Sequence, residues 1–250
     1  MDLGLKGKVA LVTGGASDVG RAIALGLAAE GAAVAVNYRS SAEDAEAAVA
    51  EIVKKGGEAK AYKADVTDYA AVQAMVGAIV KDFGGPNILV NNAGLALRQR
   101  FVDTKPEDWR KQIDACLYGA IHCCHAAAPH LDGARNGRIV SVVGDSSRVG
   151  ESGLAIVAAA RAGTIALMKS LARELGRSGT TANTVSLGLV ETPHDKEWVD
   201  ANREKLVKLY PVRRLGLPED VVPMVTLLAS PQSGWITGQV ISVSGGYSMV

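Results

Sequence analysis

The stretch that decides the fold is VALVTGGASDVGRAIALGLAAEGAAVAVN, residues 9–37. Its two short runs of small and β-branched apolar residues, 9–13 and 33–37, predict buried strands. The residues between them predict a helix over 19–30 that closes at Gly31. A strand, a helix and a second strand in this order form one βαβ unit, in which the two strands lie parallel.

The same alternation continues along the rest of the chain. Further strands are predicted at 59–64, 88–91, 138–143, 181–187 and 239–243. Further helices are predicted at 41–55, with Ser41 as the N-cap, and at 69–83, 106–128, 156–176 and 218–229. Strands rich in Val, Ile and Leu that alternate with helices indicate a parallel sheet covered on both faces. The predicted fold class is therefore α/β, a Rossmann-like doubly wound parallel sheet.

Composition limits the kinds of protein and partner. With 250 residues and 48% hydrophobic content, the chain can bury one large core, and we predict a single domain over 1–250. The formal net charge is +1 with the cations dispersed, so we expect no nucleic-acid partner. There is no signal-peptide core and no long apolar run, so we expect a cytoplasmic protein without a membrane partner. Cys116, Cys123 and Cys124 lack ligand spacing, which predicts reduced thiols and no metal.

A glycine-rich turn follows the first predicted strand and opens the first helix. It reads TGGASDVGR at residues 13–21. Such a turn brings backbone N–H groups and the positive helix end to a pyrophosphate, and ligands of doubly wound sheets bind at this edge. The alternative is a tight connection that binds nothing. Its position favours a cofactor site, with these residues as candidates: Gly14, Ser17, Asp18, Val19 and Gly20.

Arg39 follows the second predicted strand, at the point where an acidic residue would bind the ribose hydroxyls of NAD. A guanidinium suits a 2′-phosphate instead, because it makes paired, charge-assisted hydrogen bonds. The alternative is that Arg39 is a solvated surface charge. The sequence therefore favours NADP(H) over NAD(H).

Several motifs in register carry a resemblance to a known family. They are TGGASDVG at 13–20, Asp65-Val66, NNAG at 91–94, GRIV at 137–140, residues 183–193, and WITGQ at 235–239 leading to Gly245-Gly246. With these motifs the whole chain resembles the short-chain dehydrogenases/reductases, and most of all the β-ketoacyl-ACP reductase-like members. The resemblance implies an NAD(P)(H)-dependent oxidoreductase with a small-molecule substrate and a substrate loop around 188–215. It also implies a homotetramer or homodimer.

The resemblance also implies roles for individual residues. Asp65 and Val66 would lie at the adenine, and Asn92, Ala93 and Gly94 would line the central part of the cofactor. Thr192 would lie near the nicotinamide carboxamide, while Asn91 would only tie neighbouring strands together.

Two positions depart from the family pattern. Asp18 stands where the family usually has glycine, so we expect weakened cofactor binding, with the carboxylate turned to solvent or capping the helix. Leu187-Gly188 replaces the usual Pro-Gly, which loosens the loop that follows.

The family's catalytic tetrad is the point at which the chain departs most. Aligning residues 137–163 without a gap places Gly144 at the usual Ser, Val157 at the Tyr and Arg161 at the Lys. Cys116 falls at the usual Asn. Arg161 could still hold ribose, but it cannot be a general acid. General acid–base assistance contributes roughly 10²–10⁴-fold, so we expect ordinary ketone reduction by the family's route to be crippled and leave the catalytic residues unassigned.

A few residues could replace the missing groups. Ser146 and Ser147 follow Gly144 closely, and His194 lies in the loop that would cover the substrate. The alternative for the serines is an ordinary polar loop, and for His194 a solvent-facing side chain. Cys116 is a thiol without a visible activating group, so packing of a small side chain is the simpler interpretation.

Three hypotheses for function remain. The first is hydride transfer to an activated enone or enoyl thioester, which needs less proton transfer than a ketone. The second is a catalytically inactive cofactor-binding paralogue, acting as a sensor or as the partner subunit of an active relative. The third is a cofactor-independent lyase or isomerase. The family's common activity favours the first.

Overall fold

The computed structural model describes residues 2–133, 136–193 and 196–250. Its strands are β1 Val9–Val12, β2 Ala33–Tyr38, β3 Ala59–Lys63, β4 Ile88–Asn91, β5 Arg138–Gly144, β6 Thr181–Leu187 and β7 Val240–Val243. They form one parallel sheet of seven strands in the order β3-β2-β1-β4-β5-β6-β7. The strand order reverses between β1 and β4, which opens a crevice at their carboxyl ends. The predicted doubly wound α/β sheet is confirmed.

Helices cover both faces of this sheet. They are α1 Asp18–Ala29, α2 Ala42–Lys54, α3 Tyr69–Phe83, α4 Pro106–Ile113, α5 Gly119–Gly133, α6 Ser146–Val149, α7 Ala155–Leu175, α8 Lys196–Lys208 and α9 Pro218–Ala229. Side chains alternate along a strand, so β1 serves two buried clusters. Ala10 and Val12 pack in the cluster that contains residues of α1 and α9. Val9 and Leu11 pack in the cluster that contains residues of α3 and α7.

The helix predicted over 106–128 differs from the one observed. A π-helical turn, Asp114–Tyr118, separates α4 from α5, and Cys116 lies within it. A π-turn inserts its extra residue without ending the helix, so the apolar periodicity that predicts a helix does not detect it. Such turns are frequent at functional sites, and this one faces the loop after β4 through Cys116.

Two helices of the structure are absent from the sequence-based prediction. One is α6, which follows β5 directly, and the other is α8, which lies inside the proposed substrate loop around 188–215. The sequence of α8 is mainly polar, and its buried residue Val199 packs with Tyr210 and Leu215 in a small cluster of its own. Because α8 has few apolar residues of its own and is stabilised by packing against residues beyond its C-terminus, its sequence pattern does not predict a helix.

One helix among the described residues, Ala155–Ser178, is long and apolar enough by length and composition to cross a membrane. Core helices pass the same test. The helix α7 packs against β5 and β6, and the sulfur of its buried Met168 accepts from the hydroxyl of Ser141 in β5.

Candidate active site

Two neighbouring cavities open at the carboxyl ends of the central strands. The glycine-turn cavity, about 370 Å³, is lined by parts of 14–20, 37–41, 64–67 and 92–95. The Arg161 cavity, about 280 Å³, is lined by Arg161, by parts of 142–146 and by 187–190. Val19 and Asn92 line both cavities, so the two adjoin. A larger cavity of about 470 Å³ lies near the C-terminus, and none of the sequence-predicted site residues lines it.

The glycine-turn cavity gathers most of the residues predicted to bind cofactor. Those lining it are Gly14, Ser17, Asp18, Val19, Gly20, Arg39, Asp65, Val66, Asn92, Ala93 and Gly94. Thr192 lies elsewhere, in a separate cavity of about 210 Å³ beside Glu191 and Arg203. The nicotinamide role predicted for Thr192 therefore finds no support in the position of its side chain.

Close backbone packing explains the glycines of the turn. Gly14 has a φ of +60°, a left-handed conformation that glycine adopts without strain. A methyl group at Gly20 would overlap the carbonyl oxygen of Gly14 and would lie 2.5 Å from Nδ2 of Asn92. The first turn of α1 can therefore approach the turn after β1 only if residue 20 has no side chain.

Asn92 fixes this turn through its side chain. Its Nδ2 donates to the carbonyl oxygens of Thr13 and Gly14, at 3.1 and 3.2 Å. The hydroxyl of Thr13 in turn accepts from the backbone N–H groups of Asn92 and Ala93. The amide predicted to contact cofactor is thus also a support of the glycine turn. Asn91 instead donates to Ser141 Oγ at 3.1 Å, as the strand-tying interpretation requires.

Asn37 is a support that sequence reasoning missed. It lies at the end of β2 with 2% of its surface exposed, and its Oδ1 accepts from the backbone N–H of Gly14 at 3.2 Å. Its Nδ2 donates to the carbonyl oxygens of Ala64 and Tyr62, at 3.0 and 3.3 Å. The available signal was a single polar residue in the apolar run 33–37.

Asp18 holds a backbone conformation that favours glycine. Its φ is +50°, in the left-handed region that aspartate and asparagine tolerate better than most residues. The N-cap of α1 is Ser17, so Asp18 occupies the first position of the helix and does not cap it. The carboxylate lies on the lining of the glycine-turn cavity, half-buried.

The rim of the glycine-turn cavity carries a charge of each sign. Asp65 is held by its own turn, because its Oδ1 accepts from the N–H and the hydroxyl of Thr67 at 2.9 and 2.8 Å. Arg39 is exposed at the end of β2, and its guanidinium is available to a ligand that enters the cavity. Val66, next to Asp65, is buried.

The guanidinium of Arg161 lies near a glycine of each cavity lining, Gly144 and Gly94. A Cβ at Gly144 would be 3.0 Å from Arg161 Nη1 and 3.4 Å from Ser146 Oγ. A Cβ at Gly94 would be 3.6 Å from Arg161 Nη2. Nη1 therefore lies near the turn after β5, together with the buried Ser146, while Nη2 lies near Gly94, a residue of the glycine-turn cavity.

Val157 and Cys116 belong to the core. Val157 has 0% of its surface exposed and packs with Cys116 and Ala160 in one apolar cluster. The thiol of Cys116 contacts the backbone N–H and carbonyl of Leu95, each at 3.4 Å. Neither residue lines the two cavities, so packing accounts for both.

The three candidate substitutes have different positions. Ser146 lines the Arg161 cavity. Ser147 does not, because its hydroxyl donates to the carbonyl oxygen of Gly144 at 2.7 Å and so closes the turn. His194 lies outside the described residues.

Asp145 and two tyrosines also line the Arg161 cavity. Asp145 is 1% exposed, and its Oδ1 accepts from the hydroxyls of Ser186 and Ser242 at 2.5 and 2.9 Å. The hydroxyl of Tyr210 accepts from the N–H of Leu189 at 2.9 Å, and its ring stacks on that of Tyr247. Burial raises the pKa of Tyr210, and the negative charges of Glu151 and Asp145 also raise it.

Fold and cavities define the class of this protein first. A seven-stranded parallel sheet with a glycine turn between β1 and α1 is the arrangement of Rossmann-like α/β proteins. Residues 14–248 match the family described as Enoyl-(Acyl carrier protein) reductase. The chain belongs to the short-chain dehydrogenase/reductase family.

Individual relatives cover nearly the whole chain. The 3-oxoacyl-[acyl-carrier-protein] reductase FabG of Staphylococcus aureus is 40% identical over 97% of this chain and 98% of its own. The (2S)-[(R)-hydroxy(phenyl)methyl]succinyl-CoA dehydrogenase subunit BbsD of Thauera aromatica is 36% identical, over 99% of each chain. The solved short-chain dehydrogenase/reductase from Serratia marcescens is 37% identical, with a TM-score of 0.91 over 98% of this chain and 99% of that one.

Proposed function

We propose that this protein is an NADP(H)-dependent oxidoreductase acting on an activated enone or enoyl thioester, whose carbonyl oxygen is bound by Arg161 and Ser146. The observation that carries the proposal is the position of the Arg161 guanidinium, which lines one cavity with Ser146 and lies near Gly94 of the adjoining cavity. The names of relatives refer to thioesters of acyl carrier protein and of CoA, which supports a thioester substrate, and the description of the matching family supports the enoyl form.

The glycine-turn cavity fits a dinucleotide. The close approach of α1 to the glycine turn would be blocked by a Cβ at residue 20. The first N–H groups of α1 have no partners within the helix, so they can donate to a pyrophosphate. Asp65 and Val66 would lie at the adenine, Arg39 at the 2′-phosphate, and Ala93 and Gly94 at the centre. When bound, the reduced nicotinamide supplies a hydride.

Arg161 acts on the substrate through charge. It stays protonated at any working pH, so it donates hydrogen bonds but cannot give up a proton. Nη1 and the hydroxyl of Ser146 would stabilise negative charge that develops on a carbonyl oxygen, and Nη2 would hold the cofactor ribose. A conjugated substrate needs this oxygen site but no acid at the oxygen, which fits a valine at position 157.

Binding and turnover test this proposal separately. We expect calorimetry to detect NADPH binding. We also expect the purified protein to oxidise NADPH with crotonyl thioesters faster than with 3-oxobutyryl thioesters. Binding of NADPH without consumption across enoyl and carbonyl substrates would contradict the proposed activity, as would a preference for the 3-oxo thioester.

Arg39→Ala tests the choice of cofactor. Loss of charge-assisted hydrogen bonds to a 2′-phosphate costs about 1.5–3 kcal/mol, so the Kd for NADPH should rise by roughly 10- to 100-fold. The Kd for NADH should stay within about twofold, since NADH has no such phosphate. Arg100→Ala, an exposed arginine outside the cavity, is the matched control for calorimetry with both cofactors. Equal weakening of both would show that Arg39 is only a surface charge.

Asp18→Gly tests the departure in the glycine turn. The carboxylate of Asp18 repels a pyrophosphate and so weakens binding, while its left-handed backbone costs roughly 1 kcal/mol of stability relative to glycine. We expect NADPH to bind roughly 5- to 10-fold more tightly to the variant, since about 1.4 kcal/mol corresponds to tenfold. Asp18→Asn removes the charge and leaves the strain, so it should tighten binding to the same extent without the gain in thermal stability expected of Asp18→Gly. Unchanged affinity in both variants would place the carboxylate away from the phosphates.

A second candidate function is that of a non-catalytic subunit. The complete burial of Val157, away from both cavities, favours this function, and the Thauera relative is itself named as a subunit. Exposed small residues on α7, which are Ala159, Ala162 and Ala166, offer a surface for a second helix in a homodimer, a homotetramer or a complex with an active relative. The mass in solution, alone and after co-expression with such a relative, tests this assembly, and robust turnover by the isolated protein would exclude a purely structural role. We keep the cytoplasm as its proposed location.

A further inference from the structure

The guanidinium of Arg98 connects segments that are far apart in the chain. Arg98 belongs to the loop after β4 and lines the Arg161 cavity. Its Nη2 donates to Glu151 Oε1 at 2.7 Å, and its Nη1 donates to the carbonyl oxygen of Ser152 at 3.3 Å. Its Cζ lies 4.5 Å from the centre of the Trp198 ring in α8. One side chain therefore joins the loop after β4, the segment between α6 and α7, and the helix α8.

The helix α8 supports one part of the lining of the Arg161 cavity. Val199, which follows Trp198, is buried and packs with Tyr210 in a cluster that includes Leu189 and Tyr247. The hydroxyl of Tyr210 accepts from the N–H of Leu189 at 2.9 Å, and its ring stacks on that of Tyr247 with the centres 5.4 Å apart. Leu189, Tyr210 and Tyr247, here called the Tyr210 wall, all line the cavity. A shift of α8 would therefore move this wall.

We propose that Arg98 is a positioning residue, which holds α8 through Trp198 and thereby fixes the Tyr210 wall of the Arg161 cavity. Arg98 does not touch the reacting atoms in this role. It acts through the shape of the cavity in which the thioester is proposed to bind. The inference rests on the proposed function for the identity of the substrate, but the contacts that carry it belong to the protein alone.

The two ends of α8 are held by different kinds of contact. Near the end of the helix, Arg203 pairs with Glu191 at 2.6 and 2.9 Å. This ion pair is exposed, so water screens it and it contributes little. Near the start, a cation lies over a tryptophan, the aromatic side chain that gives the strongest cation–π contact. The guanidinium of Arg98 is already oriented by its two hydrogen bonds, so it loses little further freedom on stacking.

Hydrogen exchange in the full-length protein without ligand tests this role. Arg98→Met keeps an apolar stem of similar length and removes the guanidinium. We expect the amides of α8, and the N–H of Leu189 that Tyr210 holds, to exchange roughly 3- to 10-fold faster in this variant, as the loss of a cation–π contact predicts. Mass spectrometry of peptides from 187–191 and 196–208 measures both sets. Peptides from α1 should exchange at the wild-type rate.

Matched variants show whether the contact with Trp198 is responsible. Trp198→Leu should accelerate exchange as Arg98→Met does, and the double variant should exchange no faster than either single variant, because both changes remove one contact. Arg98→Lys keeps the charge beside Glu151 without the planar face and should restore only part of the protection. Arg100→Met removes an exposed guanidinium from the same loop and should leave the exchange of α8 unchanged.

Steady-state kinetics connects α8 to the substrate. With NADPH and crotonyl-CoA, Arg98→Met should raise KM at least about twofold and at most by the factor seen in exchange, because a smaller fraction of the protein has the cavity in its binding form. The value of kcat should stay within about twofold, since Arg161 and Ser146 do not depend on α8. A saturating concentration of crotonyl-CoA should return the exchange of α8 in the variant towards the wild-type rate.

The outcomes separate this inference from the proposed function. Wild-type exchange of α8 in Arg98→Met, or additive effects in the double variant, overturns the role of Arg98 whether or not NADPH is oxidised. Faster exchange of α8 with an unchanged Leu189 amide also overturns it, because α8 would then not control the cavity. The expected exchange pattern in a protein that never oxidises NADPH supports the positioning role and removes the oxidoreductase.

Discussion

Gly20→Ala is expected to abolish useful NADP(H) binding and to lower the free energy of unfolding by about 1–3 kcal/mol, as overpacking of a close contact does. The added methyl group would collide with the carbonyl oxygen of Gly14, which belongs to the turn that Asn92 and Asn37 hold in place. Because the turn cannot move without breaking these hydrogen bonds, α1 must shift away from the cavity. We expect the Kd for NADPH to rise at least roughly 100-fold, measured by calorimetry.

The same change elsewhere in a helix provides the control. Gly77 lies in α3 and is exposed, and a Cβ added there would meet no other group within 4 Å. Gly77→Ala should raise the free energy of unfolding by about 0.5–1 kcal/mol and leave NADPH affinity unchanged. Wild-type affinity in Gly20→Ala would mean that the cofactor does not approach the start of α1.

Arg161→Met is expected to lower kcat for an enoyl thioester by roughly 10²–10³-fold, the usual cost of removing one donor from an oxyanion site. Methionine fills similar space without charge or N–H groups, so the loss reports on the interaction with the carbonyl oxygen. NADPH affinity should fall by less than about tenfold, because the glycine turn and Arg39 remain. Steady-state kinetics and calorimetry on the same preparation separate the two effects.

A second arginine on the same helix serves as the reference. Arg173 is exposed near the end of α7, and Arg173→Met should change neither kcat nor affinity. If Arg161→Met instead weakened NADPH binding by roughly 10²–10³-fold and left kcat unchanged, Arg161 would be a ribose-binding residue alone. That result would remove the proposed carbonyl site.

Local patterns predicted the sheet and the glycine turn well. The strands 9–13, 33–37 and 88–91 are short apolar runs whose burial follows from composition, and the structure has strands at each of them. The cofactor candidates after β1, β2, β3 and β4 share one cavity because parallel strands end at one edge of a sheet. The order of elements along the chain is enough for these predictions.

The features that the sequence did not predict depend on contacts between segments that are far apart in the chain. The carboxyl of Asp145 meets Ser186 and Ser242, which are 41 and 97 residues away in sequence. Tyr210 enters the same cavity from beyond α8, a helix with little apolar signal of its own. Asn92 both lines the glycine-turn cavity and donates to the backbone of the glycine turn. This second role depends on the direction of its side chain, which a sequence motif does not specify.

Gly144 and Arg161 share one small volume, so the size of the residue at 144 determines where the guanidinium can lie. A serine at 144 would crowd the guanidinium, since its Cβ would lie 3.0 Å from Nη1. A lysine at 161 would bring a single ammonium in place of the planar fork. Because the guanidinium is the end of a flexible side chain, a serine at 144 is expected to fit after a small shift of Arg161, and that shift would also move Nη2 relative to Gly94.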